Sequence, residues 1–548
     1  MRLPCLDKFL DLFAEKLAAK LPRPSIHVPH EKESVAGQTH LQRIISSLEW
    51  EILARGMKNL NITRINDETG NLGTLTLQRG PSYEILATMS TDIDLNSFDE
   101  RGDKNLGEFY DGHTVHGILD EDESVIVLNH VHFGAVHHTF DRAASRRTSA
   151  QIETFRVERI WRRQEDASPS FVQDWFIGGP HSLSGPFLRA SVREFHERFV
   201  RKRPGPRNGP LDASPVEFPP SNADSALNVT HSRDYCVVTP SDDLRFIVAR
   251  VPDGFGPTWS KSVCIEYREE LGGIPSEEQR IAFSEIVSFL LGRHMLQVGS
   301  TSYDKVSQPI KATSNPPWGR DAVENCTSQD RQPIPLDGHG NRPPELDISK
   351  LTKEYMEYRD LLNLSDAIWI TWLAQRMPLG YDLPLYSAAL ESLMQSWFKS
   401  KESKTKGIYM EKKKFDSLVG EFIEAASEKL KGHEHADRMI RKMGNSFQMS
   451  VNEKFPAFFS EIGLAIGNGE DAVIRARNST AHGHSLKKED YQKFSLLGGG
   501  YKTLINRTLL KILGFDGFYI DYSSLNWPQR NIDEPIGLDK KYQTKKYR

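Results

Sequence analysis

Residues 307–344 read SQPIKATSNPPWGRDAVENCTSQDRQPIPLDGHGNRPP. Pro, Gly, Asn and Asp dominate this stretch, which reads as a linker or long loop and as the best domain boundary in the chain. Before it, apolar residues mostly alternate. Leu75 and Leu77 interleave with Thr74 and Thr76, and Arg79-Gly80-Pro81 signals a turn. Runs at Tyr83–Met89, Gly112–Leu119 and Ser124–Phe133 follow, the last two joined by the acidic turn Asp120–Glu123. Ile152, Phe155 and Val157 continue the pattern, as do Cys236–Val238, Phe246–Val251 and Val263–Tyr267. Short strands in this order predict a sandwich or a partly closed barrel. Arg201 to Pro220 interrupts them as a basic, Pro/Gly-rich exposed loop. Pro275-Ser276-Glu277-Glu278 then opens a helix lined by Ile281, Phe283, Ile286, Phe289 and Leu290.

After the boundary the period is helical. Tyr355, Tyr358, Leu361 and Leu362 begin one pattern; Tyr386, Leu390, Leu393 and Trp397 form a second, entered through Pro384. Phe415, Leu418, Phe422, Ile423 and Leu430 form a third, and Met439–Phe459 hold one or two more. Gly469–Gly483 and Tyr501–Leu513 complete a helical bundle. At the start of the chain, Phe9, Leu10, Phe13 and Leu17, then Leu41, Ile44, Ile45, Leu48 and Ile52, give two further helical patterns. The expected fold is α+β and multidomain: a helical segment over 1–64, a β-rich domain over 65–305, a linker over 306–345, a bundle over 346–520 and a tail over 521–548.

Composition narrows the class. The net charge of −4 leaves no overall basic footprint, so any nucleic-acid contact must be local. Cys5, Cys236, Cys264 and Cys326 lie far apart with no ligand-like spacing, which suits reduced thiols in the cytoplasm. Asp7, Lys8, Asp11, Glu15 and Lys16 among the first apolar residues make an amphipathic helix rather than a signal peptide. No run is apolar enough for a membrane span.

Within the bundle stands Arg477-Asn478-Ser479-Thr480-Ala481-His482, then Gly483 and His484. On a helix, five residue steps separate Arg477 and His482 by about 140° and about 7.5 Å. A shared site then needs a curled Arg or a helix that starts or kinks near Ser479 or Thr480. His titrates near neutral pH and Arg presents a fork to phosphate oxygens, a pairing that fits metal-free phosphate-ester chemistry. The same spacing also occurs on ordinary solvated helix faces.

A C-terminal bundle carrying Arg477-Asn478…His482-Gly483 resembles a HEPN domain, and Ala389-Leu390-Glu391-Ser392-Leu393 is similar to a stretch of the ApeA-like HEPN families. Gly73–Leu77, Thr114–Leu119 and Glu123–Phe133 resemble the β-rich N-terminal domain of ApeA-type proteins. The resemblance spans roughly 65–515. It implies an anti-phage ribonuclease acting by abortive infection on RNA, with tRNA one candidate, and with a phage-derived trigger at the β-rich domain. It implies a homodimer or higher homo-oligomer formed through the bundle, in which two copies of the motif face each other. Arg477 and His482 would be the catalytic pair and Asn478 the polar residue beside them. Cleavage would need no metal or other cofactor and leave a 2′,3′-cyclic phosphate. One His per chain cannot easily be both acid and base, which is a chemical reason to expect the second copy.

Other residues carry two readings each. Glu391 either orients Arg477 or is an exposed charge. His484 and Arg475 either support the pair or point away from it. Lys412, Lys413 and Lys414 either bind RNA or solubilise a loop. Arg156, Arg159, Arg162 and Arg163, with Trp161 for stacking, could track phosphates. His113, His116, His130, His132, His137 and His138 form either a metal site or a solvated sheet face. The competing functional class is a non-catalytic HEPN scaffold whose β-rich domain recognises a ligand.

Overall fold

Leu60 and Ile62 alternate with Asn59 and Asn61, and this period of two builds the first strand. The structure is a computed structural model, which describes residues 58–80, 83–92, 112–119, 123–140, 146–154, 156–161, 168–179, 235–250, 261–305, 309–317, 331–336, 344–480 and 490–538. The expected helices before Leu53, the basic loop at 201–220 and the end of the tail lie outside these residues. Strands β1 (Lys58–Ile65), β2 (Glu68–Arg79), β3 (Ile85–Thr91), β4 (His113–Leu119), β5 (Val125–Phe140) and β6 (Arg146–Glu153) close a six-stranded barrel. Closure comes from β4, which pairs with β1 at Leu60↔Leu119 and with β5 at Val115↔Leu128. Residues 58–64, expected in a helical segment, therefore belong to the barrel. Leu60, Ile62, Ile65, Leu75, Met89, Val115, Leu128 and Ile152 fill its core. The void among Leu60, Leu77, Leu119, Ile126 and Val157 is about 10 Å³, room for one water.

Barrel and second sheet share β5. A bulge between Phe133 and Val136 interrupts the β6 pairing of this long strand. Its later part pairs with β6, while Val125–Asn129 pair with β7 (Arg156–Ile160). From β7 the sheet continues through β13 (Pro309–Ser314), β12 (Leu296–Tyr303), β8 (Phe171–Gly179), β11 (Lys261–Arg268), β10 (Phe246–Arg250) and β9 (Tyr235–Val238). The expected linker at 306–345 thus contains a paired strand, and its Ile334 and Leu336 are buried in the core. Pro and Asn surround that strand and mask it in the composition.

Helix α1 (Glu277–Leu291) lies against this sheet. Ser276 and Gln279 close a capping box at its start. Gly292 ends it in the left-handed region, where a Cβ would sit 2.2 Å from the Gln332 nitrogen. Phe283 and Ile286 of α1 share one core with Phe246, Ile265 and Tyr267. The same core runs into α2 (Pro344–Tyr358), α3 (Leu364–Ala374), α4 (Asp382–Lys399), α7 (Val451–Glu461), α8 (Asn468–Thr480) and α9 (Tyr491–Ile512). Sheet and helices are therefore packed as one body of apolar side chains. Glu285 of α1 fastens them, taking Arg359 Nε at 2.7 Å, Tyr355 Oη at 2.8 Å and Ser365 Oγ at 2.8 Å.

Two helices stand apart. α5 (Lys412–Lys429) and α6 (Ala436–Gly444) pack mainly on each other. Beyond α9, β14 (Phe518–Ile520) pairs with β15 (Gln529–Asn531), and Ile532, Ile536 and Leu538 are buried. Much of the expected tail is thus core. α9 starts ten residues before the expected Tyr501, because Gly498, Gly499 and Gly500 serve close packing rather than a break. A Cβ on Gly499 would lie 2.2 Å from the Tyr522 carbonyl oxygen.

At the middle of the second sheet, every residue of β8 is buried. Asp174 there accepts from Arg280 Nε at 2.9 Å, yet burial pushes its carboxyl up to about 6 from the ordinary 3.8. Between those two values the folded chain holds a proton that the unfolded chain has lost. Stability contributed by this group is therefore full below about pH 4 and falls by about 3 kcal/mol as pH rises to about 6. The Asp174→Asn chain should lack that decline, which urea midpoints at about pH 4 and about pH 6.5 would measure.

Candidate functional site

Helix α8 carries Arg477 and Asn478, and its first turn is fixed by charge. Glu470 Oε2 accepts from the Gly467 nitrogen at 2.9 Å, ahead of the helix start. Glu470 Oε1 accepts from Arg507 Nη1 of α9 and from the Ile536 nitrogen at 2.8 Å. Arg507 Nη2 also donates to the carbonyls of Ala465 and Ile532, each at 2.9 Å, and its guanidinium lies 4.9 Å from the Tyr519 ring centroid. Both side chains of the ion pair are fully buried. Val473 packs so closely on α9 that a Cβ on Gly500 would approach it to 2.6 Å. The Tyr501 hydroxyl reaches the Ile474 carbonyl at 3.4 Å.

Position 477 is seven residues after Glu470, on the helix face that Glu470 and Val473 occupy. Asn478 follows it in the last turn of α8, and the helix runs without interruption through Ser479 and Thr480. No helix start therefore separates Arg477 from Thr480. His482, Gly483 and His484 lie outside the described residues. Arg475 sits on the exposed side and pairs with Asp471 at 3.2 Å, one turn back.

α4, which contains Glu391, packs against α8. Glu391 is half-buried and accepts from Ser387 Oγ at 3.1 Å. Lys412, Lys413 and Lys414 are exposed in the first turn of α5. The fold places them on the projecting helix pair rather than on the helices that flank α8.

The β-region candidates separate. Arg156 is engaged by Glu158 at 2.8 Å and Glu277 at 3.1 Å. Arg159 stacks 4.2 Å from the Trp161 ring centroid and donates to Ser124 Oγ at 2.9 Å. His113 turns inward, stacks on Phe133 at 5.1 Å and pairs through Nδ1 with Asn66 at 2.8 Å. Burial, then the nearby Arg64, lowers the His116 pKa. Among the described residues no group of three or more His, Cys, Asp or Glu is placed to hold a metal. Arg162 and Arg163 lie outside the described residues.

Sequence reading missed the buried polar groups around α9. Lys502 is buried, donates to Gln375 Oε1 at 2.8 Å and lies 5.5 Å from the Tyr522 ring centroid. Burial first and Arg331 second hold its pKa well down. Asp382 opens α4, and burial pushes its carboxyl up to about 6. α9 is buried almost all round, so no polar stripe marked Lys502 or Arg507 as exceptional.

No family model, curated protein or solved structure matches the chain.

Because Glu470 and Arg507 satisfy each other in a buried site, Arg507→Met should cost about 3–5 kcal/mol by leaving a carboxylate unpaired. Replacing both, as Glu470→Leu with Arg507→Met, should recover much of that loss. Equilibrium denaturation of the three chains would measure it.

Proposed function

We propose that the chain is a metal-independent, HEPN-type endoribonuclease of anti-phage defence. The observation that carries this reading is the sequence motif Arg477-Asn478…His482, whose Arg477 and Asn478 stand in the last turn of α8, a helix anchored in the bundle by a buried ion pair. Phosphate recognition needs a positioned cation, and the helix that contains position 477 is held at its base.

RNA supplies its own nucleophile. The 2′-oxygen attacks phosphorus, its proton passes to the His482 imidazole, and the P–O5′ bond breaks. The leaving 5′-oxygen takes a proton from a second imidazole, that of His482 in another copy of the chain. The products are a 2′,3′-cyclic phosphate and a 5′-hydroxyl, and neither half-reaction requires an outside oxidant or nucleophile. Arg477 holds the phosphate oxygens and stabilises the charge that gathers there in the transition state. Asn478 is the neutral hydrogen-bonding group beside it. Proton transfer of this kind contributes about 10²–10⁴-fold.

Purified protein incubated with total RNA in EDTA should cleave it and leave cyclic-phosphate ends. Arg477→Ala and His482→Ala should each lower the rate by about 10²-fold or more, with folding unchanged by circular dichroism. Equal cleavage by all three chains would remove both residues from the mechanism.

A further inference from the structure

The helix pair α5–α6 has the form of an arm. At its neck Ile408 bridges Gln448, the Tyr409 nitrogen donates to the Phe447 carbonyl at 2.9 Å, and the Met449 nitrogen donates to Gly407 at 3.2 Å. Glu461 of α7 holds the loop that enters the neck. It accepts from Trp397 Nε1 at 2.8 Å, the Lys404 nitrogen at 3.1 Å and the Thr405 nitrogen at 2.9 Å. Beyond the neck, α6 has no buried residue and α5 has only Phe415.

Such an arm leaves apolar surface in water. Phe422 is 72% exposed and Leu418 58%, with Met439 at 44% on α6. On α5 these residues belong to one strip. Glu411, Lys414, Leu418, Phe422, Ala425 and Lys429 recur at three- and four-residue steps, and all six are exposed. The strip opens with Glu411 at the helix cap and Lys414, ends with Lys429 and is apolar between them. Laid antiparallel on a second copy, it matches itself: Leu418 meets the partner's Phe422, Glu411 meets the partner's Lys429, and each contact occurs twice.

Charge along α5 favours the same arrangement. Its first turn holds Lys412, Lys413 and Lys414 and no acidic residue, against the helix dipole. Its second half holds Glu421, Glu424 and Glu428, and this register brings Glu428 level with the partner's Lys412. Residues 410–446 carry eight Lys and Arg against seven Asp and Glu, so no partner of a single charge sign is selected. A helix of this length spans about 27 Å, and a two-helix face offers about 500 Å² per copy. The total is about 1,000 Å², where specific interfaces begin.

We infer that the α5–α6 arm is a self-association surface, on which two copies of the chain pack antiparallel through Leu418 and Phe422 into a four-helix bundle. The inference rests on the arm alone and is independent of the nuclease reading.

Sedimentation equilibrium of the full chain from about 1 to about 100 μM tests it, a range chosen for an interface of this size. The native chain should pass from monomer to dimer within that range. Leu418→Glu with Phe422→Glu should weaken association by about tenfold or more, with unchanged circular dichroism. Glu411→Lys and Lys429→Glu should each weaken the dimer several-fold, and the two together should restore it. A native chain that stays monomeric at about 100 μM would overturn the proposal. So would a Leu418→Glu/Phe422→Glu chain that associates as tightly as the native one, since another surface would then be responsible. Failure of the paired charge swap to restore association would overturn the antiparallel register.

Discussion

The Glu470–Arg507 ion pair holds together parts of the chain that are remote in sequence. It joins the start of α8, the middle of α9 and the segment around Ile532 and Ile536. In a dry interior an unpaired charge is far costlier than a paired one, so each element is held by what the other would lose. The three glycines of α9 serve the same end. They let the Tyr522 backbone and Val473 approach the helix axis more closely than any side chain would allow. The start of α8, seven residues before Arg477 in sequence, is thus fixed in the bundle.

A second constraint acts at the barrel. β5 is in register with β4 and β7 from Val125 to Val131 and with β6 from His132 to Phe140, so one long strand belongs to both the barrel and the neighbouring sheet. The barrel keeps its own apolar core, while the neighbouring sheet gives its inner face to the helices. The division of the molecule runs between two hydrophobic cores rather than between strand-rich and helix-rich halves of the chain.

That division explains what the sequence could and could not disclose. The outer strands of the barrel alternate cleanly because one face is packed and the other is wet; β4 is the clearest case. The start of α1 was visible, because Ser276 has a local job at its first turn. β8 was not, because a strand covered on both faces has no alternation, and Gln173 and Asp174 gave it the look of a loop. β13 was hidden by its flanking Pro and Asn. At the candidate site, Arg477 and His482 could be picked out by residue type and spacing alone. Glu470 and Arg507 could not, since the reason for each is a partner 37 residues away.

The strand β13 has a topological consequence. It comes after the barrel and most of the second sheet in the chain, and it pairs with β7 on one side and β12 on the other. A peptide-bond cut between 318 and 330 would therefore leave the sheet whole on one fragment and α2–α9 whole on the other. The two fragments would still share the core in which Phe283 and Ile286 meet the helices, and Glu285 would still hold Arg359 across the cut. The two fragments would then be complementary through packed side chains, among them Ile334 and Leu336 of the Pro/Gly/Asn-rich stretch itself.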